Sequence, residues 1–436
     1  MAVLGAAGVV AVAALATAAT APTAQAATVT IDPLESALGY NAFIEGDTTL
    51  TSHESEGPIA TGGNLTIGGT YNVAIHTTGT FIDGDDAQPS ALVVGGRLKY
   101  GQNPSIGNIL RVLNEGYVKI GDLTGTSVLN TDTNNASVNT RLVAAGAAYD
   151  STPRAELTVQ QPIDSVGPTS PIDFDTAFAD FRSKASQLAE CENTVTMRDP
   201  SGLAVAKGEV APGQQIRISL ESGTTNVLDL TGEDLNNMAN LTFLDQPSAD
   251  TPLLINVDTS GTGGELDWDV ATQAGISGTQ APYILWDWAG TTELNTVSGD
   301  TVEGTVYAPD AVFSDTSPAN IEGQIIAKQA TLGDLGEEGG EIHQFPFAAE
   351  LSCETDVTPS PSPSRSHDNV TWSPHPSDAD GTTGSDGSDG SDGSNGAGDG
   401  LATTGGDARA FMITAASLVA VGAVALIAAG RRRARE

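Results

Sequence analysis

Gly304-Thr305-Val306-Tyr307-Ala308-Pro309-Asp310-Ala311-Val312-Phe313 is followed, nineteen residues on, by Gly323-Gln324-Ile325-Ile326-Ala327-Lys328-Gln329-Ala330-Thr331-Leu332. Both runs open on glycine and continue through β-branched, aromatic and small residues. A unit of about twenty residues, strand then Gly-rich corner then strand, suits one coil of a β-solenoid. Small residues at the corners let the backbone turn and stack. A second pair lies near the other end: Pro58-Ile59-Ala60-Thr61-Gly62-Gly63-Asn64-Leu65-Thr66-Ile67 and Leu92-Val93-Val94-Gly95-Gly96-Arg97-Leu98-Lys99-Tyr100. From Thr28 to about Val159 the chain reads throughout as short strands divided by Gly, Asn and Asp, with further runs at 116–120 and 141–146. The expected fold is mainly β, an elongated β-solenoid. The repeats are degenerate, and a large β-sandwich is the alternative.

One helix interrupts the strands. Phe174, Phe178, Phe181, Ala185 and Leu188 fall at i, i+4, i+7, i+11 and i+14, an apolar stripe over about residues 173–190. Asp173 suits the N-cap and Asp175 the first turn. The stretch from Pro162 to Pro171, rich in Pro, Ser and Gly, forms the approach. The stripe needs a partner, and the open side of a solenoid supplies one. Beyond it, strands are expected at Gln215–Leu220, Thr225–Leu230 and Leu253–Val257. Trp268, Trp286 and Trp288 concentrate the aromatic surface of this part. Indoles can stack on sugar rings, which makes the three possible ligand contacts. The competing reading places alternating Trp286 and Trp288 on one strand face, filling the core.

Both ends point outside the cell. Residues 1–26 read as a signal peptide: small and apolar, closing on Ala24-Gln25-Ala26 before Ala27, with no Lys or Arg ahead of the apolar run. After the folded part, 27–354, the composition changes abruptly. Residues 355–400 carry Pro-Ser and Ser-Asp-Gly units that cannot bury enough apolar surface to fold. This disordered linker has a relaxed span of roughly 40 Å and an extended reach of ~150 Å, enough for a wall-spanning stalk. Residues 401–436 then present Leu401-Ala402-Thr403-Thr404-Gly405, an uncharged span over 411–429, and Arg431, Arg432, Arg433 and Arg435. Nineteen residues at about 1.5 Å each reach roughly 28 Å, a bilayer's hydrocarbon thickness, with the arginines holding the cytoplasmic end. The order of motif, span and basic tail resembles the cell-wall sorting signal of Gram-positive surface proteins. That resemblance implies cleavage by sortase between Thr404 and Gly405 and transfer to peptidoglycan, after a transient stay in the membrane. Ala402 replaces the usual proline, as in substrates of a separate sortase class. A plain membrane anchor is the alternative.

Charge and chemistry narrow the function. The chain carries 55 acidic residues against 18 Lys and Arg, a net charge of −37, which repels phosphate backbones and argues against nucleic-acid binding. Cys191 and Cys353, both in the exported part, form a disulfide in an oxidising compartment or remain two buried thiols. Of five histidines, His367 and His375 lie in the linker, and His343 reads as structural. No His-Glu-x-x-His pair, nucleophile elbow or phosphate loop occurs, so no catalytic residue, resident metal or cofactor is assigned. Asp83-Gly84-Asp85-Asp86, and Asp132 with Asn134 and Asn135, offer oxygen ligands to calcium, but turn chemistry accounts for them better.

Tyr40-Asn41-Ala42-Phe43-Ile44-Glu45-Gly46-Asp47 and Glu56 to Asn64, with the closing segments 302–311, 321–327 and Gly340 to Phe347, resemble the "choice-of-anchor A" family of surface proteins. The resemblance covers about residues 34–350. It implies an exported adhesin-like domain binding an extracellular matrix protein or glycan, with no catalytic residue to transfer. The order of coil, side helix and coil is also similar to the discontinuous, right-handed β-helix of microbial ice-binding proteins, whose long helix lies along the solenoid. Ice-binding faces want a regular Thr array, and Thr78/Thr80 and Thr131/Thr133 do not repeat at a rung spacing. The expected function is therefore cell-wall display of an adhesive surface, ahead of a structural envelope component, a carbohydrate-active enzyme or an ice binder.

Overall fold

The computed structural model describes residues 27–101, 108–334 and 340–355, all within one compact unit. The expected signal peptide, 1–26, most of the expected linker, Leu401 to Gly405 and the span 411–429 lie outside the described residues. Among the described residues no helix is long and apolar enough to cross a membrane.

The two glycine-led runs lie on neighbouring coils: Val306 pairs in parallel register with Ile325, Tyr307 with Ile326 and Ala308 with Ala327. The second pair of runs stacks likewise, Ile59 on Leu92 and Leu65 on Leu98. The corner glycines meet backbone to backbone. Gly96 N donates to Gly63 O at 2.8 Å, and a Cβ on Gly96 would stand 2.7 Å from that same oxygen. Only a residue without a side chain permits coils to stack so closely there.

The coils do not stack in chain order. Ala42–Ile44 lies between Ile59–Thr61 on one side and Ile325–Leu332 on the other. From this first coil the chain builds outward through Ser90–Val94 and Tyr117–Ile120. It then crosses over and returns through Asn226–Thr231, Leu253–Asp258, Ile284–Asp287 and Thr305–Asp315 to close against its own start. These nine strands form one parallel sheet. They are apolar on both sides, as a sheet covered on both faces must be. One side, with Ile44, Ile59, Val94, Ile255, Trp286 and Val306, fills the interior. The other, with Phe43, Ala60, Val93, Leu254, Leu285, Tyr307 and Ile326, lies under the long helix.

That helix runs Phe174–Leu188, and the stripe residues Phe174, Phe178, Phe181, Ala185 and Leu188 are all buried. Asp173 caps it, Oδ1 accepting from Thr176 N at 3.1 Å. Phe43 is the centre of the contact, its ring centroid 5.0 Å from Phe174 and 5.6 Å from Phe181. Arg182 pins the helix across the coil closure: Nη1 donates to Glu45 at 2.8 Å and Nε to Asp310 at 2.7 Å. The approach from Pro162 to Pro171 contains one helical turn, Ile163–Val166, whose Val166 is buried in the core. Beyond the helix, Cys191 is disulfide-bonded to Cys353, with Cα atoms 5.4 Å apart. Cys353 lies on Leu351–Thr355, which pairs antiparallel with Ala27–Ile31.

Candidate functional site

Seven of the nine coils leave the helix-covered sheet at a corner and continue into a second parallel sheet. In seven of these strands one outward position is held in a single register. Asp267 pairs with Asn295, Asn295 with Ser314, Ser314 with Thr331, Thr331 with Thr49, Thr49 with Thr66, and Thr66 with Lys99. The flanking residues Leu266, Leu294, Phe313, Ala330, Leu50, Ile67 and Leu98 are buried, which fixes the direction of the polar row. Two residues away runs a parallel row, Glu265, Glu293, Val312 and Gln329. Neighbouring rungs stand about 4.8 Å apart. The face is acidic at one edge, with Asp267, Asp269, Glu265 and Glu293, and carries Lys99 at the other, where Arg97 is ion-paired with Asp122. Its side chains are pre-positioned: Asn295 Nδ2 donates to Asp267 at 2.8 Å and Ser298 Oγ to Asp269 at 2.7 Å.

Thr331, Thr49 and Thr66 occupy three successive rungs, a column built from residues other than Thr78/Thr80 and Thr131/Thr133. Thr78 and Thr80 belong to a loop, and Thr131 and Thr133 to a strand end and the turn after it. The column has no fixed sequence spacing, because coil length varies and because the step from Thr331 to Thr49 crosses the closure between the two ends of the folded region.

The three tryptophans are not on this face. Trp268, Trp286 and Trp288 are at most 1% exposed, and the ring of Trp268 lies 5.2 and 5.1 Å from those of the other two. Strand alternation turns Trp268 inward between exposed Asp267 and Asp269. All three are core, and the role of sugar platform is withdrawn.

A third side of the coils gathers the only histidines among the described residues. His343 places Nδ1 2.8 Å from Glu322 and Nε2 3.1 Å from Glu341. His76 Nδ1 is 3.2 Å from Glu56, and His53 Nδ1 is 3.8 Å from Glu341. Burial opposes the charge of His343, but the bond to Glu341 and the charges of Glu322 and Glu56 raise its pKa above the ordinary value. Close by, burial, then Glu322 and Asp300, push Glu303 up to about 7. No spacing in the sequence announces this patch, because position 343 joins 53 and 76 only through the coil closure.

The acidic loops considered for calcium have other employment. Asp83 and Asp86 hold the buried Lys119 ammonium at 2.7 and 2.6 Å. Asp132 closes its own turn by accepting from Asn134 N and Ala136 N, both at 2.8 Å. Among the described residues no three His, Cys, Asp or Glu side chains converge as a metal site. A cavity of about 690 Å³ is lined by Arg111, Val138, Arg141, Tyr149 and Glu156, with Arg141 lying 4.1 Å over the Tyr149 ring.

A family model described as "Putative Ice-binding-like adhesive domain" matches residues 33–344. Similar solved structures include an ice-binding protein from an Antarctic biological consortium, 12% identical, covering 76% of this chain and 97% of that one, with a TM-score of 0.26. One from the ascomycete Antarctomyces psychrotrophicus is 14% identical, covering 73% and 99%, with a TM-score of 0.26. Another, from Shewanella frigidimarina, is 11% identical, covering 71% and 95%, with a TM-score of 0.24. Comparison with curated proteins gave no match.

Proposed function

The chain belongs to the family of ice-binding-like adhesive domains, and from that premise we propose that it is a surface-displayed adhesin whose contact surface is the polar face of the second sheet. The observation that carries the reading is the single register of Asp267, Asn295, Ser314, Thr331, Thr49, Thr66 and Lys99. A rigid row of hydroxyl, amide and charged groups on a fixed rung spacing suits an extended polymer. Such a ligand, a matrix protein or a glycan, offers hydrogen-bond partners at regular intervals. Preorganisation by the two sheets lowers the ordering cost of binding. The protein acts by holding its ligand, and no residue is assigned to catalysis.

In this reading residues 1–26 export the chain. Sortase then cuts between Thr404 and Gly405, and peptidoglycan carries the product on the outside of a Gram-positive cell. The motif from Leu401 to Gly405, the apolar span 411–429 and the arginines after it support that route. Mass spectrometry of wall digests tests it: the mature chain ends at Thr404, and a species continuing past Gly405 refutes covalent anchoring.

For the face, the intact protein is screened against collagens, other matrix proteins, glycans and peptidoglycan. Thr49→Tyr and Thr331→Tyr serve as blocking variants. Saturable binding that both abolish, with the melting temperature unchanged, is expected. A silent screen, or binding indifferent to both, sinks the assignment. The row Thr331, Thr49 and Thr66 favours ice as a second ligand, and inhibition of ice recrystallisation lost in Thr49→Tyr is its test. The charges of Glu265, Glu293, Asp267 and Lys99 on the same face favour a hydrated polymer over ice.

A further inference from the structure

Asp287 is fully buried, and neither of its carboxylate oxygens has a hydrogen-bond partner. It stands on the helix-covered face of the main sheet, in register with Asn256 on the next strand, which is in register with Asp229 on the one beyond. Asn256 is 8% exposed; its Nδ2 donates to Leu188 O at 3.1 Å and to Asp229 at 3.3 Å, and its Oδ1 is also without a donor. Two orphan acceptors thus occupy neighbouring rungs. Asp229, Asn256, Asp258, Asp287 and Ala189 line a cleft of about 220 Å³ at the carboxyl end of the long helix. That helix end adds partial negative charge, since its last carbonyls point outward. The one cation present, Lys207, stands at the rim, 3.5 Å from Asp258.

An ionised carboxylate buried without a donor or a counter-charge is among the costliest arrangements in a protein. Something positive belongs in this cleft. Apart from Lys207, the polar side chains lining it, Asp229, Asn256, Asp258 and Asp287, offer oxygen, which selects a hard cation over zinc or copper. We propose that the cleft is a divalent-cation site of the calcium type, with the Asp287 carboxylate and Asn256 Oδ1 as protein ligands, Asp229 adding charge, and water completing the shell. The set differs from a three-carboxylate cage, since an amide and the helix end replace the further acids. It anchors the end of the helix to three coils and acts on stability, whichever ligand the polar face holds. The competing occupant is a proton, which would make Asp287 a neutral acid; its pKa is pushed well above the usual carboxylate range by burial.

The intact protein, stripped with a chelator, is titrated with calcium chloride by calorimetry and melted at each concentration. One calcium per chain is expected, with a dissociation constant of about 10⁻⁴–10⁻³ M, as in extracellular modules. The melting temperature rises with calcium, as binding to the folded state requires. Asp287→Asn weakens binding by about tenfold or more and removes that rise, whereas Asp258→Asn, at the rim, does neither. If Asp287→Asn does not fold, Asp229→Asn provides the same readout. Absence of saturable binding overturns the site, most directly if Asp287→Asn is also more stable than the wild type in calcium-free buffer. Binding left intact by both Asp287→Asn and Asp229→Asn overturns it as well.

Discussion

Asp315 shows at the scale of one side chain what a coil interior does to charge. It is 1% exposed and accepts from Thr296 Oγ1 at 2.6 Å. Burial pushes its pKa up to about 7, against the lowering effect of Thr296 and the Ser317 amide. A folded value above the unfolded one means that the neutral acid is the form the fold favours. Its contribution is therefore complete below about pH 4 and is lost as pH rises through about 7. At about 1.4 kcal/mol per unit the upper bound is on the order of 4 kcal/mol. Glu303, also raised to about 7, has the same sign but is half exposed and counts for less. His343, raised above 6.5, likewise stabilises the fold below its unfolded value and ceases to do so as pH climbs past its folded one. The melting temperature should fall between about pH 5 and pH 8, and Asp315→Asn should flatten the slope and melt higher at pH 8. A flat wild-type profile would contradict this account. In the same interior Trp286→Ala should cost about 3–5 kcal/mol in urea unfolding, because its neighbours Trp268 and Val306 lie on rigid rungs that cannot collapse into the space.

Among the elements, the long helix was the most legible, since every stripe residue that its spacing marked is buried and Asp173 is the cap. Its period of 3.6 needs no knowledge of the partner. The partner is what gives it stability: the face is lined by Phe43, Tyr307 and Ile326, from opposite ends of the chain. Phe178→Ala should therefore cost about 3–5 kcal/mol, and Asp173→Ala about 1 kcal/mol, both read from denaturant midpoints at constant m. Equal losses would mean that the helix is held by its cap and not by its buried face. The strands were legible as strands, and Gly95, Gly96, Gly62 and Gly63 as corners, because close stacking leaves no room for a side chain. The tryptophans were not decidable, since an alternating pattern fixes which residues share a face without saying which face is wet. The histidine patch and the threonine row were illegible for a further reason. Both arise from register between coils of unequal length, and register is a property of the assembled sheet.

At the scale of the molecule, the decisive feature is the closure of the end of the chain on its beginning. Ile325, Ile326 and Ala327 pair with Ala42, Phe43 and Ile44, and outside that closure Leu351–Thr355 pairs with Ala27–Ile31. Cys353 belongs to the outer pair, and its bond to Cys191 ties that pair to the end of the long helix. The disulfide closes a loop of about 160 residues, for which chain entropy gives about 5 kcal/mol, often less in practice. Its position governs what fails first when it is cut. In the oxidised protein the outer strand pair can leave only by dragging the buried end of the helix with it. After reduction that pair is a two-stranded ribbon, marginal on its own. Hydrogen exchange on the reduced protein, or on Cys191→Ser with Cys353→Ser, should show early loss of protection over 27–31 and 351–355. Amides of Ala42–Ile44 and Ile325–Leu332 should stay protected, since the parallel sheet and Phe43 beneath the helix hold them independently. Simultaneous loss in both regions would mean that the bridge maintains the inner closure as well, and that the two ends of the chain open as one cooperative unit.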